Sequence, residues 1–322
     1  MRLPVDLRDI MASGTKLQEE RARPVRVGVF VDVDAPDLLV QAVQEALRPQ
    51  TGNARLHVEA VGPGEALVVD SMTDAVVALA GPGSNLLESL KRAREAGVPT
   101  VVLGLSQPAD ELSRRFNHAM LDSLTAVEPD QLVIDLGDWF ADRLGNKRIA
   151  LATNFAFVRK AVAVEAVKAT SFQNGVIGGV VILPGADLPL MTANQAKMVM
   201  QVAAAYGQPL GAERIRELAA VLGGAFAMRA VARQMLTFIP GFGWAIKAAI
   251  GYSGTMAMGY AAIEYFENGA DLSGLAEKLR DTRDRAIDAA RNRSLRPVAD
   301  DEPIPAHAYV VVDAHDEGVQ DS

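Results

Sequence analysis

The chain has no cysteine, which excludes a disulfide framework, a thiolate nucleophile and any Cys-ligated metal centre. Histidine is nearly as scarce. His57, His118, His307 and His315 stand far apart, and none has a second His or an acidic cluster at metal-ligand spacing. Aromatic residues make up 5% of a chain that is 49% apolar, so Ala, Val, Leu and Gly carry the hydrophobicity, as suits closely packed helices. A concentrated basic surface is missing too: the formal charge is -8, with Lys and Arg dispersed, which argues against nucleic acid as a partner. The opening MRLPVDLRDIMASGTKLQEERARP is too charged to supply the apolar core of a signal peptide, so a cytoplasmic location is expected.

What is present falls into two halves with different periodicity. At 322 residues the chain exceeds the usual single-core range of about 100–200 residues. From Val25 to about Leu136, short β-branched runs alternate with helical stretches. This predicts a three-layer α/β domain with a mostly parallel sheet. The expected strand cores are Val27–Val31, Leu56–Val61, Ala75–Ala80, Thr100–Leu105 and Leu132–Leu136, with helices over Asp37–Leu47, the run NLLESLKRAREAG and about Ala109–Leu124. Gly97-Val98-Pro99 reads as a helix stop followed by an extended start.

After Trp139 the strand pattern ends. Residues 139–170 read as helical, and 171–191 as an apolar segment broken by Pro184, Gly185 and Pro189. Thr192 is an expected N-cap for ANQAKMVMQVAAAYG, whose face Met198, Val199, Val202, Ala203 and Tyr206 ends at Gly207. Two further helical runs follow on either side of Pro240 and Gly241. The last helix, lined by Leu272, Leu275, Ala276, Leu279 and Ala286, is densely charged elsewhere and carries the pair Asp281 and Arg285. The expected divisions are 1–24, an N-terminal extension; 25–138, the α/β domain; 139–296, a helical domain; and 297–322, an acidic tail.

LPGADLPLMTANQAKMVMQVAAAYG, Leu183–Gly207, and FIPGFGWAIKAAIGYSGTMAMGYAAIEYF, Phe238–Phe266, resemble the DUF697 family, a helical module of bacterial proteins sometimes fused to GTPases. The resemblance covers about Ser171–Phe266. It implies a helical, often membrane-associated module with no established reaction. The first half resembles the GTPase-like P-loop fold in degenerate form. Laid on that family's phosphate loop, Val31 and Pro36 fall at the two glycines, Asp37 at the lysine and Leu38 at the Ser or Thr. Ala60 or Val61 takes the place of the metal-linked aspartate. Gly104-Leu105-Ser106-Gln107 replaces the guanine-reading motif, and Asn146-Lys147-Arg148 lacks its closing Asp. Every phosphate-ligand position is lost, and Asp32, Asp34 and Asp37 would repel polyphosphate at that edge. The other reading is a doubly wound sheet without GTPase ancestry.

The remaining polar positions have structural readings beside functional ones. Asp32, Asp34 and Asp37 could hold a divalent cation, but a solvated turn with Asp34 or Asp37 capping the helix needs less. The GPG runs at Gly62–Gly64 and Gly81–Gly83 read as strand ends, with Ser84-Asn85 as a helix start. His57 alternates with apolar neighbours and reads as a structural or surface residue. Ser253 in GYSGT lacks the G-x-S-x-G pattern and the strand-turn-helix elbow of a hydrolase. Asp187 reads as a helix cap or a partner for Arg229, Arg233 or Lys247.

Phe238–Ile263 spans 26 residues with Lys247 as its one charge, long enough to cross a bilayer, yet five glycines and many alanines keep it weakly hydrophobic. Gly251, Gly254, Thr255 and Gly259 supply small surfaces for close helix approach in a membrane or in water. These readings predict a non-enzymatic interaction, scaffolding or regulatory protein with no cofactor, no metal site and no catalytic residue. Its expected partners are a protein, a second copy or the inner membrane surface. The rival expectations are a small-ligand or nucleotide sensor or enzyme at the sheet edge, and an integral membrane module.

Overall fold

The computed structural model describes residues 7–65, 67–82, 85–105, 121–180, 187–210 and 243–268, all within one compact unit, Met1–Asp271. Expectations for Gly83, Ser84, Ser106, Gln107, His118, Arg229, Arg233, Pro240, Gly241, the charged last helix and the tail with His307 and His315 lie outside these residues.

Five strands, β1 (Val25–Asp32), β2 (Ala54–Val61), β3 (Ala75–Leu79), β4 (Thr100–Leu105) and β5 (Leu121–Ala126), form a parallel sheet of order β2-β1-β3-β4-β5. β3 is buried throughout and β4 nearly so, which is why their sequences are continuous apolar runs rather than alternating ones. Winding runs one way from β1 to β2 and the other way from β1 through β3. Right-handed crossovers therefore place α2 (Asp37–Ala46) and α3 (Leu87–Glu95) on opposite faces. Phe30, Val76, Ala78 and Val102 face the α3 side with Leu86, Leu90 and Ala93. The protein is thus a three-layer α/β domain followed by helices.

Four expected strand cores lie within or beside observed strands; the fifth does not. Leu132–Leu136 belongs to α4 (Pro129–Arg143), and the strand is Leu121–Ala126. Pro129 suits a first helical position, and Leu132, Leu136, Trp139 and Phe140 are buried at helical spacing. Among the described residues, Leu121–Ala126 pairs on one side only, with β4, so this edge strand needs no continuous apolar run. Of the helix expected over Ala109–Leu124, residues 121–124 are therefore strand, and the rest lies outside the described residues. Trp139 Nε1 donates to Asp122 Oδ2 at 2.7 Å and Arg143 to Asp122 Oδ1 at 2.7 Å, fastening α4 to that edge.

The helical part continues through α5 (Arg148–Asn154), α6 (Arg159–Val180), α7 (Asp187–Ala205) and α8 (Gly243–Glu267). Residues 171–180 extend α6 instead of forming a separate segment, because their apolar and small side chains keep its spacing. α7 starts at Asp187, five residues before the expected cap at Thr192. Pro189 sits in the first turn, where its missing N–H costs nothing. Gly207 ends α7 with φ 73° and Gly97 ends α3 with φ 70°, both as expected of left-handed helix stops. The N-terminal stretch contains α1 (Leu7–Arg21), with Leu17 buried.

Candidate functional site

In a sheet of this order the winding reverses between β1 and β3, and ligands of doubly wound folds bind outside the carboxyl ends of the strands there. β1 delivers Asp32 to that point, only 1% exposed. Its Oδ1 accepts the Asp34 N–H at 3.0 Å and the Asn85 Nδ2 at 2.9 Å, and the same amide reaches Asp34 Oδ2 at 3.3 Å. Among the described residues, Oδ2 of Asp32 is buried without a hydrogen-bond partner. The Asp32 carbonyl accepts the Ala35 N–H at 2.9 Å, closing a tight turn. That turn lies directly over the end of β3. A Cβ on Gly81 would stand 2.5 Å from the Asp34 carbonyl carbon and oxygen, so only glycine permits the approach.

This arrangement brings together two of the three aspartates. Asp37 is exposed in the first turn of α2, where its charge complements the helix dipole. The expected cap by Asp34 or Asp37 is not made. The N-cap is Pro36, with no side-chain cap bond, because Asp32 and Asn85 organise the turn instead. No group of three or more His, Cys, Asp or Glu able to hold a metal occurs among the described residues. Gly62 and Gly81 follow β2 and β3 as strand-ending turns. His57 is exposed on β2 beside Glu59, and Ser253 lies within α8, so neither occupies a nucleophile elbow or a metal cluster.

Asn146-Lys147-Arg148 sits at the other edge of the sheet. Lys147 Nζ bonds both Asp74 carboxylate oxygens, at 2.6 and 2.7 Å, and the Pro24 carbonyl at 2.8 Å. Asp74 and Pro24 precede β3 and β1, so Lys147 clamps the amino ends of the central strands.

The helical part has a polarity of its own. Lys160 approaches Glu267 at 3.5 Å, Val167 lies against Gly259 and Asn174 against Gly251, so α8 runs antiparallel to α6. Asn174 donates to the Met191 carbonyl and to Thr255, and Gln195 donates to the same hydroxyl; Met191 lies against Gly251 and Tyr206 against Glu267, so α7 runs parallel to α8. A charged end results, where Tyr206 donates to Glu267 at 2.9 Å. Burial, then that hydrogen bond, pushes the Tyr206 pKa up. Arg21 donates there to the carbonyls of Gln208 and Gly207 at 2.9 and 3.1 Å, closing the carboxyl end of α7. Burial and then the charge of Arg159 lower its pKa.

The opposite end carries almost no charge. Residues 169–186, 188–196 and 248–263 contain no Asp, Glu, Lys or Arg. Phe172 and Val180 are nevertheless 68% and 70% exposed, and Val176, Leu190 and Tyr252 are exposed as well. The side chain of Asp187, at the start of α7, and that of Lys247 lie outside the described set. Among the described residues, no helix is long and apolar enough to cross a membrane. Gly251 and Gly259 of α8 are points of close contact with α6 among the described residues, in keeping with their spacing.

Beside this end, a groove of about 540 Å³ opens between α1, α5, α6 and α7. Its walls include Thr170, Gln173, Asn194 and Gln201, with Lys16, Arg23, Arg148 and Lys197 outnumbering Glu20 and Glu165. Nothing in the sequence pattern points to it, because its polar residues come from four separate helices.

No family model matches the chain. The chain is similar to Magnetosome membrane protein 22 of Magnetospirillum gryphiswaldense, 30% identical over 109 residues. The similarity takes in 31% of this chain and 56% of that protein, so the chain spans just over half the length of the relative. The relative is a membrane protein by name.

Proposed function

We propose that this is a non-enzymatic, membrane-associated interaction protein. The helical part touches the bilayer surface with its uncharged end, and the α/β part presents a protein partner or a second copy with a docking platform. The observation that carries the reading is the exposure of Phe172, Val176 and Val180 on α6 and of Leu190 on α7, within the runs 169–186 and 188–196 that contain no charged residue. Apolar side chains grouped without charge favour the boundary between headgroups and acyl chains. The resemblance of Leu183–Gly207 and Phe238–Phe266 to the DUF697 module supports the same reading, as does a distant relative named as a membrane protein.

Catalysis of nucleotide hydrolysis has little to work with at the sheet edge. Asp32 and Asp34 stand where phosphate charge would need neutralising, and the Asp34 main chain lies across the end of β3. The test is flotation of the full chain with phosphatidylcholine vesicles. The wild type floats with them. Val180→Asp combined with Leu190→Asp stays at the bottom of the gradient while keeping the wild-type melting profile, since both positions are exposed. A wild-type chain that never floats overturns the proposal.

A further inference from the structure

We infer that the groove between α1, α5, α6 and α7 holds the phosphate-bearing headgroup of an anionic phospholipid. This inference rests on the membrane-surface reading above and gives it a ligand.

The first observation is the alignment of the groove with the apolar end. On α7, Leu190, Asn194, Lys197 and Gln201 recur at i, i+4, i+7 and i+11, one helical face. On α6, Val180 lies seven residues beyond Gln173 and so on nearly the same face. Each wall therefore carries an exposed apolar residue, Val180 or Leu190, two turns ahead of the polar groove residues Gln173 and Lys197. At 1.5 Å per residue, Gln173 and Lys197 stand about 10 Å behind that tip. An interfacial apolar face enters roughly 5–10 Å into the headgroup boundary. When Val180 and Leu190 are seated there, Gln173 and Lys197 are at the level of the phosphates.

The second observation is charge. Four basic and two acidic side chains line the groove, a local positive excess on a chain whose formal charge is -8. The acids are already engaged: Glu20 lies 4.0 Å from Lys16, and Glu165 lies 3.8 Å from Arg148. Arg23 donates to the Asn146 carbonyl. Among the described residues, no carboxylate pairs with Lys197. One turn away on either side along the same helix face stand Asn194, whose Nδ2 also donates to Asn174 Oδ1 at 3.0 Å, and Gln201. A phosphate diester with glycerol hydroxyls matches this set: the cation takes the charge, and the amides take the ester and hydroxyl oxygens.

The experiment compares the full chain and three variants on two kinds of vesicle, phosphatidylcholine alone and phosphatidylcholine doped with phosphatidylglycerol. The wild type binds both, the doped vesicles more tightly. Lys197→Glu lowers affinity for doped vesicles roughly tenfold and leaves phosphatidylcholine binding unchanged. Lys168→Glu makes the same charge change outside the groove, on exposed α6 surface, and has a much smaller effect. Val180→Asp with Leu190→Asp loses both vesicles. Equal losses from Lys197→Glu and Lys168→Glu would overturn the inference and leave the docking reading standing, since diffuse attraction would then suffice. A soluble arm separates the sources of phosphate by following the side-chain amide resonances of Asn194 and Gln173 under glycerol phosphate. Strong shifts there without any vesicle binding would overturn both the lipid source and the docking reading.

Discussion

Gly251 and Gly259 both sit where α8 meets α6, yet a methyl group would be received differently at each. A Cβ on Gly259 would lie 2.3 and 2.4 Å from the Val167 methyls, atoms that a second substitution removes. A Cβ on Gly251 would lie 2.6 Å from the Asn174 carbonyl oxygen, which no substitution removes. Alanine gains about 1 kcal/mol of helix propensity over glycine, against about 1–3 kcal/mol for overpacking. Gly259→Ala is therefore expected to destabilise the native chain and to become neutral or stabilising in a Val167→Ala background. Gly251→Ala destabilises regardless of that background. Urea unfolding of the four-member cycle reads the coupling, and an unchanged Gly259→Ala effect would mean that the helices stand further apart. The small face of α8 is legible in the sequence from the spacing of Gly251, Gly254, Thr255 and Gly259. Its neighbour is not, because a glycine records that something comes close without recording what.

At the scale of elements, legibility tracks burial. β1, β3 and β4 can be read because both faces are covered and the apolar run is unbroken. α4 is misread because QLVIDL supports either period over so short a window, while LDSLTA, paired on one side, carries no strong signal. The candidate site suffers the same way. Asp32 and Asp34 are visible as acids, but the amide that links them arrives from Asn85, beyond β3. The polar contacts inside the helical part were equally hidden. Asn174 is fully buried, donates to Thr255 at 3.0 Å and accepts from Asn194 at 3.0 Å. It therefore joins α6, α7 and α8 at one point and fixes their register, as buried polar residues do in helical cores. Asn174→Ala should cost about 2–4 kcal/mol, since it removes these bonds and strands their partners. Hydrogen exchange distinguishes a register lock from a local defect. The lock predicts faster exchange along α8 on both sides of Thr255, whereas a local defect raises only the amides next to it.

Over the whole molecule, the paired ionisable groups of the helical part gather, among the described residues, at one end, so alkaline pH acts on that end first. Tyr206 stacks on Phe266 with ring centroids 6.2 Å apart and donates to Glu267. Burial and that hydrogen bond both favour its neutral form, so its pKa is raised in the folded chain. Unfolded, the phenol titrates near its ordinary value of about 10. The unfolded chain thus releases this proton first. The stabilising contribution of Tyr206 is complete below pH about 10 and declines as pH climbs from there toward the raised folded value. Tyr206→Phe keeps the ring on Phe266 and removes the ionisation. Its melting temperature should lie below wild type by a constant amount around pH 8, reflecting the lost hydrogen bond, and the two curves should converge above pH about 10. Parallel curves across that range would mean that the phenol is as well solvated in the folded chain as in the unfolded one. That outcome would open the contact between the end of α7 and α8 on which the charged end depends.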